Sequence, residues 1–215
     1  QTSSRVRQNE FHPNAGCDAK YGLKSNFTVD LTVNPDFGQV EADPEVLNLT
    51  TFETFYPEKR PFFIEGTQIL RFTTFGNDFG PGLFYSRRVG TALNVQTPPG
   101  SILTHEPRAA TILGAAKITG KTANGLSVGV LEALTQKETY TFRDSLGTST
   151  TSTAQPLTNY SLVRMKQDVW GNSNVGLIVT SVARNEGLPA NTGGVDWNLK
   201  FDNSTYGVTG FFAHS

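Results

Sequence analysis

The feature that most constrains the fold is a strict alternation of apolar and polar residues, repeated along the chain and broken by turn residues. It is clearest over residues 27–33, where one face would carry Phe27, Val29, Leu31 and Val33 and the other Thr28, Asp30 and Thr32. A period of two predicts a strand with one apolar face. Runs of Ala, Leu, Glu and Lys that favour long helices are scarce. The chain is therefore predicted to be all-β and antiparallel.

From residue 111 onward, the alternation predicts an up-and-down meander. Strands are expected at residues 111–122, 126–142, 157–169, 174–184, 195–201 and 205–213. Asn124-Gly125 lies between the first two, and Asn-Gly between alternating runs is the strongest short hairpin signal. Short turns alternate with the longer polar stretches 143–155 and 185–194. This asymmetry is typical of outer-membrane β-barrels, which have short turns at one end and long loops at the other.

The organisation of the chain is predicted in three parts. Residues 1–22 are polar and irregular and are interpreted as a lead-in or linker. Residues 23–110 form a motif-rich segment with loops through which the chain enters the barrel, and residues 111–215 form the meander. Within the middle part we expect local elements at residues 23–33 (strand), 45–55 (short helix), 57–66 (rigid loop or edge) and 83–89 (short strand).

Charge and cysteine usage exclude several functional classes. The net charge is −1, with 18 basic and 19 acidic residues and no basic tract, so no nucleic-acid partner is expected. Cys17 is the only cysteine, and the three histidines are scattered, so neither a disulfide nor a zinc site is expected. The sequence contains no run of about 18 apolar residues, so no membrane-spanning helix is predicted. Alternating strands of about ten residues remain able to cross a membrane.

Aromatic residues gather near the predicted strand ends. They are Tyr140, Phe142, Tyr160, Trp170, Trp197 and Tyr206. Aromatic rings with one wet edge are favoured at a membrane interface, but they also cap strands in soluble sandwiches. The pattern alone leaves a membrane barrel and a soluble β domain open.

Seven carboxylates lie between residues 36 and 65, and three interpretations of six of them are open. The favoured one is an ion-pair network in a polar interior, formed by Asp36, Glu41, Asp43, Arg60, Arg87 and Arg88. The second is glycan hydrolysis, for which the catalytic candidates are Glu53, Glu58 and Glu65. The third is a calcium site at Asp36, Glu41 and Asp43, whose spacing differs from that of an EF-hand loop. Apart from that calcium alternative, no cofactor or metal is expected.

Four long motifs resemble a bacterial outer-membrane family of unknown function. They lie at residues 21–44, 52–66 (FETFYPEKRPFFIEG), 83–90 (LFYSRRVG) and 112–122 (ILGAAKITGKT). Long members of that family carry a carbohydrate-binding family 9-like domain, are often labelled membrane-associated hydrolases, and have a C-terminal region similar to an outer-membrane barrel. The resemblance implies that this chain is the N-terminal part of such a barrel.

The resemblance also implies a location, partners and a function. The expected location is the bacterial outer membrane, or else the periplasm or the exterior. The expected partners are membrane lipid and carbohydrate. The predicted function is a structural or transport segment of the barrel that handles carbohydrate polymers. The alternatives are a membrane-associated glycan hydrolase that uses carboxylates within residues 36–65 and a soluble carbohydrate-binding β-sandwich.

Overall fold

The structure is a computed structural model that describes residues 15–23, 26–35, 55–72, 82–93, 95–107 and 109–215. Within these ranges it contains two antiparallel sheets and only short helical turns. No helix in the described part of the chain has the length and apolar character needed to cross a bilayer.

The larger sheet contains eight strands in the order β1-β2-β4-β5-β8-β9-β10-β11. Their bounds are β1 Cys17–Leu23, β2 Phe27–Val33, β4 Ile112–Lys121, β5 Leu126–Thr135, β8 Thr158–Asp168, β9 Asn174–Arg184, β10 Ala190–Phe201 and β11 Tyr206–His214. The smaller sheet has three strands in the order β3-β6-β7, with bounds Ile102–His105, Glu138–Arg143 and Ser149–Gln155. Two four-residue helices, α1 (Pro61–Ile64) and α2 (Thr67–Leu70), and a 3-10 turn at Ser86–Arg88 lie between β2 and β3.

The prediction of an all-β antiparallel fold is confirmed. The strand predicted at residues 174–184 has those bounds, and the predicted 111–122 and 157–169 strands agree within one residue at each end. The strand predicted over 23–33 is shorter, since β2 begins at Phe27. It pairs antiparallel with β1, which lies mostly in the stretch predicted to be irregular.

Several local predictions are wrong. The loop predicted at 185–194 is shorter, since β10 begins at Ala190. The strand predicted over 126–142 is divided, since β5 ends at Thr135 and β6 belongs to the smaller sheet. The polar stretch 143–155 contains β7, whose Ser- and Thr-rich sequence is held by pairing with β6. Residues 83–89 contain a 3-10 turn at Ser86–Arg88 and no strand. Most of the helix predicted at 45–55 lies outside the described residues.

The two faces of the eight-stranded sheet differ in polarity, and the more apolar face is the exposed one. One face, here called the open face, has no described segment packed on it and carries mainly Val, Leu, Ile, Met and aromatic side chains, including Leu31, Ile118, Val163, Leu177 and Phe212. The other, the covered face, carries Asp30, Lys117, Arg164 and Asp196, all buried, among apolar residues. The charges are therefore inside and the apolar side chains outside.

The covered face is occupied by residues 55–72 and 82–93, here called the inner segment. Phe63, Leu70, Phe72 and Val89 of this segment form one hydrophobic cluster with strand residues such as Leu162. Further strand members of the cluster are Ile112, Ala115, Leu131, Ala133, Tyr160 and Ile178. Burial of these side chains is worth about 1.5–3 kcal/mol each for the larger ones, so the cluster fixes the inner segment against the sheet.

The strand registers show that the sheet is staggered. One row of open-face residues runs directly from Val29 on β2 through Val130 on β5 to His214 on β11. From this row, β2 begins two residues away at Phe27, whereas β11 begins eight residues away at Tyr206. A drop of six residues over six strand spacings corresponds to a tilt of about 35°, at about 3.4 Å per residue and about 4.8 Å per strand.

Two open-face glycines are covered by aromatic rings from the neighbouring strand. Phe27 of β2 lies against Gly120, and Trp197 of β10 lies against Gly210. A Cβ at either glycine would overlap the facing ring. The rings thus fill the space that the missing side chains leave and fix the register of the pairs, as aromatic cover of strand glycines does in designed sheets.

Replacement of Gly210 by alanine is expected to lower the free energy of unfolding by about 1–3 kcal/mol, because the Trp197 ring must leave its position. The matched control is Gly207→Ala on the same strand, where the new Cβ would meet only the flexible end of Lys200, 2.9 Å away at Nζ. That variant should change stability by less than about 0.5 kcal/mol. Urea unfolding followed by circular dichroism measures both, and equal losses would contradict the packing role of Trp197.

Candidate functional site

The covered face holds three groups of charged side chains that the inner segment completes. The first centres on Lys117 of β4, whose side chain is fully buried. Its Nζ lies 3.4 Å from Asp30 Oδ2 on the neighbouring strand. It also donates hydrogen bonds to the carbonyl oxygens of Phe62 and of Glu65, the latter at 2.7 Å. Lys117 therefore ties α1 to the sheet through the carbonyls at the end of the helix.

The second group is the ion pair between Arg164 of β8 and Asp196 of β10. Arg164 donates through Nη1 and Nη2 to the two carboxylate oxygens of Asp196, both at 2.7 Å, and both side chains are buried. Gly176 of β9 lies between them, and a Cβ there would overlap both charged groups. Phe72 of the inner segment covers the guanidinium, 5.5 Å from its ring centre. The pair bridges two strands across a third that has no side chain at that point.

The third group lies within the inner segment itself. Arg60 makes a two-pronged contact with Glu58, through Nε at 2.8 Å and Nη2 at 2.7 Å. It also donates to the carbonyls of Val89 and Ser86, at 2.6 and 2.8 Å, and stacks on Phe63. Arg60 thereby joins the two halves of the inner segment, 55–72 and 82–93.

Glu58 is held in its ionised form. Burial by itself would raise the pKa of this carboxyl group, but hydrogen bonds from Arg60 and Ser86 outweigh that effect and lower the pKa to about 2. The Ser86 hydroxyl donates at 2.6 Å, and the backbone N–H of Arg60 donates at 3.0 Å. A general acid at neutral pH needs a raised pKa, so this arrangement suits an anchoring ion pair better than proton donation.

Glu65, another catalytic candidate, lies at the surface beside β1. Its carboxylate accepts a hydrogen bond from Lys20, and that hydrogen bond lowers the pKa of Glu65. Lys20 Nζ is also 3.9 Å from Asp30, so the exposed Lys20–Glu65 pair continues into the buried Lys117 group.

Several of the residues predicted to form a site lie outside the described ranges. They are Asp36, Glu41, Asp43 and Glu53. The predicted network between the first three and the arginines, and the calcium alternative, therefore stay predictions. Among the arginines, Arg60 pairs with Glu58, and Arg87 donates to the carbonyl of Pro57 at 2.9 Å. Arg88 lies on the 3-10 turn and is exposed. Within the described ranges, no three His, Cys, Asp or Glu side chains cluster as metal ligands.

The charged residues of the strands were not predicted as site residues. Lys117, Arg164 and Asp196 each occupy a polar position within an apolar alternation, which is a visible signal. Their pairing depends on register: β9 must lie between β8 and β10, and its facing residue must be glycine. Only the structure supplies that information.

Loss of one member of the Arg164–Asp196 pair should be far more costly than loss of both. The Asp196→Leu variant leaves a buried guanidinium without its carboxylate and should lose about 3–5 kcal/mol of stability. The double variant Arg164→Met/Asp196→Leu should recover most of this loss. Urea unfolding of the four proteins in the cycle measures the coupling, and additive losses would contradict it. The exposed pair Lys137–Glu186 is the control, since Glu186→Gln should cost less than about 1 kcal/mol.

The Glu58 ion pair predicts a specific acid response. Because the pKa falls from 4.5 to about 2 on folding, its stabilisation is complete above pH 4.5 and is lost as the pH falls toward 2. At about 1.4 kcal/mol per pKa unit, the upper bound on this stabilisation is about 3.5 kcal/mol. The stability difference between wild type and Glu58→Gln should therefore shrink over that interval.

Ser86→Ala serves as the matched variant, because it removes one donor to Glu58 and should shift the acid loss to higher pH. Unfolding free energies measured from pH 7 to pH 2 test both expectations. A Glu58→Gln profile parallel to that of the wild type would show that the ion pair does not contribute.

Comparison with known proteins gives one family. No curated protein matches the chain, and no solved structure does. A family model described as a domain of unknown function, DUF5916, matches residues 1–215. The chain belongs to the DUF5916 family.

Proposed function

We propose that this chain forms part of the wall of a bacterial outer-membrane β-barrel, with the inner segment filling the lumen side. The observation that carries the proposal is the inverted distribution of polarity over the eight-stranded sheet. Buried charges lie on the covered face, and an exposed face of apolar side chains lies opposite. Outer-membrane barrels have this distribution, because lipid surrounds the wall and the interior is polar.

A soluble sandwich would place its side chains the other way round. Its two sheets pack apolar face to apolar face, and the polar positions alternate outward. Here Leu177 and Val179 of β9 are exposed to 45% and 46% of their surface, while Arg164 of β8 and Asp196 of β10 are buried. Large apolar patches of this kind mark interaction surfaces, and a sheet-wide patch with charges behind it is suited to lipid.

The geometry of the sheet gives further support. The tilt of about 35° from the strand registers lies in the range of about 35–45° found in membrane barrels. Short turns join β4 to β5, β8 to β9 and β10 to β11 at one end. The long connections β2 to β4 and β5 to β8 lie at the other end, together with the short β9–β10 connection of residues 185–189. The outer edges of β1 and β11 pair with no described strand, and in a barrel further strands would complete the wall.

On this proposal, the covered face lines a polar lumen in which the inner segment restricts passage. A carbohydrate polymer handled by the barrel would pass or dock beside that segment. The hydrolase alternative is less favoured, because Glu58 is held by Arg60 and Ser86 and Glu65 by Lys20.

The test compares two leucines of the same hairpin region. Leu177→Lys places a charge in the apolar open face and should destabilise the membrane-inserted form by about 2–4 kcal/mol if it lies near the bilayer centre. Leu188→Lys is the control, because Leu188 lies in the β9–β10 loop and is 90% exposed.

The measurement is membrane insertion of the full-length protein, followed by its heat-dependent mobility on a denaturing gel and by urea titration in lipid. Leu177→Lys should reduce the folded, membrane-bound fraction, and Leu188→Lys should not. A wild-type protein that stays monomeric in buffer without detergent would overturn the proposal.

A further inference from the structure

Polar residues on the open face are concentrated in one row of the sheet. Glu132, Ser161, Ser181 and Asn191 pair directly across four neighbouring strands, from β5 to β10. They are called the polar row here. The adjacent row on the same face is Val130, Val163, Val179 and Gly193. The open face therefore changes from apolar to polar within two residues along each of these strands.

Glu132 is fixed at the apolar border of the polar row. Its Oε2 accepts hydrogen bonds from Asn159 Nδ2 at 3.0 Å and from Ser161 Oγ at 2.7 Å. Asn159 also donates to Ser161 at 3.1 Å. These bonds supply part of the hydrogen bonding that the carboxylate needs on a mainly apolar face. A carboxylate in this setting is suited to a zone that is wet but adjoins hydrocarbon.

Aromatic residues mark the opposite border of the open face. Phe27, Trp170, Trp197, Phe201 and Tyr206, called the aromatic edge here, lie near the strand ends that adjoin the short turns. The Trp170 and Phe201 rings are in contact across two turns, with centroids 6.3 Å apart. Aromatic rings of this kind form the girdles of membrane barrels at the level of the headgroups.

The apolar run on the open face has the same length on β2 and on β11, which lie six strand spacings apart. On β2 the apolar residues extend from Phe27 to Val33, and on β11 they extend from Tyr206 to Phe212. The row described above runs from Val29 on β2 to His214 on β11. Val33 lies four residues above this row on β2, and Phe212 lies two residues below it on β11. The upper border thus drops by six residues between these strands, as the lower border does. The apolar run, here called the band, is six residues long on both of these strands. The polar row keeps one register from β5 to β10, so at a tilt of about 35° its depth changes by about 8 Å over three strand spacings.

The band has the dimensions of a thin hydrocarbon layer. Six residues span about 20 Å along a strand, or about 17 Å along the membrane normal at a tilt of about 35°. The rings of the aromatic edge add to this height at one border. The sum approaches the apolar band of about 25 Å in outer-membrane barrels.

We infer that the open face binds a lipid bilayer with its two headgroup levels at the aromatic edge and at the polar row. This inference rests on the proposed function and adds to it the depth of each border. The short turns then lie just outside one headgroup level, and the smaller sheet and longer loops lie beyond the other. The partner is the bilayer itself, with acyl chains against the band and headgroups beside Glu132.

The experiment measures depth in the full-length protein reconstituted in phosphatidylcholine bilayers whose lipids carry bromine near the headgroup or near the centre. Leu177→Cys and Ser181→Cys, on the same face of β9, each carry an environment-sensitive fluorophore in a background without other cysteines. The label at residue 177 should emit at short wavelength and be quenched by deep bromine. The label at 181 should emit as in water and be quenched by shallow bromine, if at all.

The tryptophans report the other border. The fluorescence lost in Trp170→Phe and Trp197→Phe should be the part that shallow bromine quenches in the wild type. Labels at 177 and 181 with equal depth, or tryptophans quenched mainly by deep bromine, would overturn the two borders even in a protein that shows heat-dependent mobility. If the wild-type protein stays out of the bilayer, or if Leu177→Lys and Leu188→Lys insert equally well, the proposed function itself fails. The inference then fails with it.

Discussion

The structure depends on the need of buried charges for partners. Lys117, Arg164 and Asp196 are buried on the covered face, and the effective cost of removing such ions from water is several kcal/mol each. The Arg164–Asp196 pair meets this demand within the sheet. Lys117 needs carbonyl oxygens from α1 as well as Asp30. The inner segment is therefore an electrostatic requirement of the sheet as well as a hydrophobic cover for it.

This constraint also decides what the open face must be. Since the strands alternate strictly, placing the polar set on the covered side sends Val, Leu, Ile and aromatic side chains to the other side. The chain then has no described apolar surface to pack there. On the proposed function, contact with lipid explains the exposed band, the tilt of the strands and the ring-covered glycines together. In a soluble sandwich the same alternation would place the apolar side chains on the covered face and the polar ones on the exposed face.

The sequence predicts the alternation, the turns and the antiparallel meander well, because these features are local. The bounds of β9 and the division of β10 into apolar Val195 and Trp197 against polar Asp196 follow from the alternation alone. Which face of the sheet is covered does not follow from the sequence, because the alternation has a period of two in either case. β7 resembles a loop in sequence, since its Ser and Thr residues are ordered only by the partner strand β6. The Arg60–Glu58 pair is close in sequence, whereas Arg164 and Asp196 meet only through the register of three strands.

The connection between β2 and β4 has a consequence for how the molecule assembles and opens. Val33 pairs with Gly114, so residues 34–113, including the inner segment, form a loop closed by two adjacent strands. A loop of that length is entropically costly to close, whereas the hairpins from β8 to β11 are local, and we expect these hairpins to form first. The inner segment is then enclosed when β2 docks on β4. Because the chain joins the inner segment to β2 on one side and to β4 on the other, it stays tethered to neighbouring strands even when its contacts with the sheet are lost.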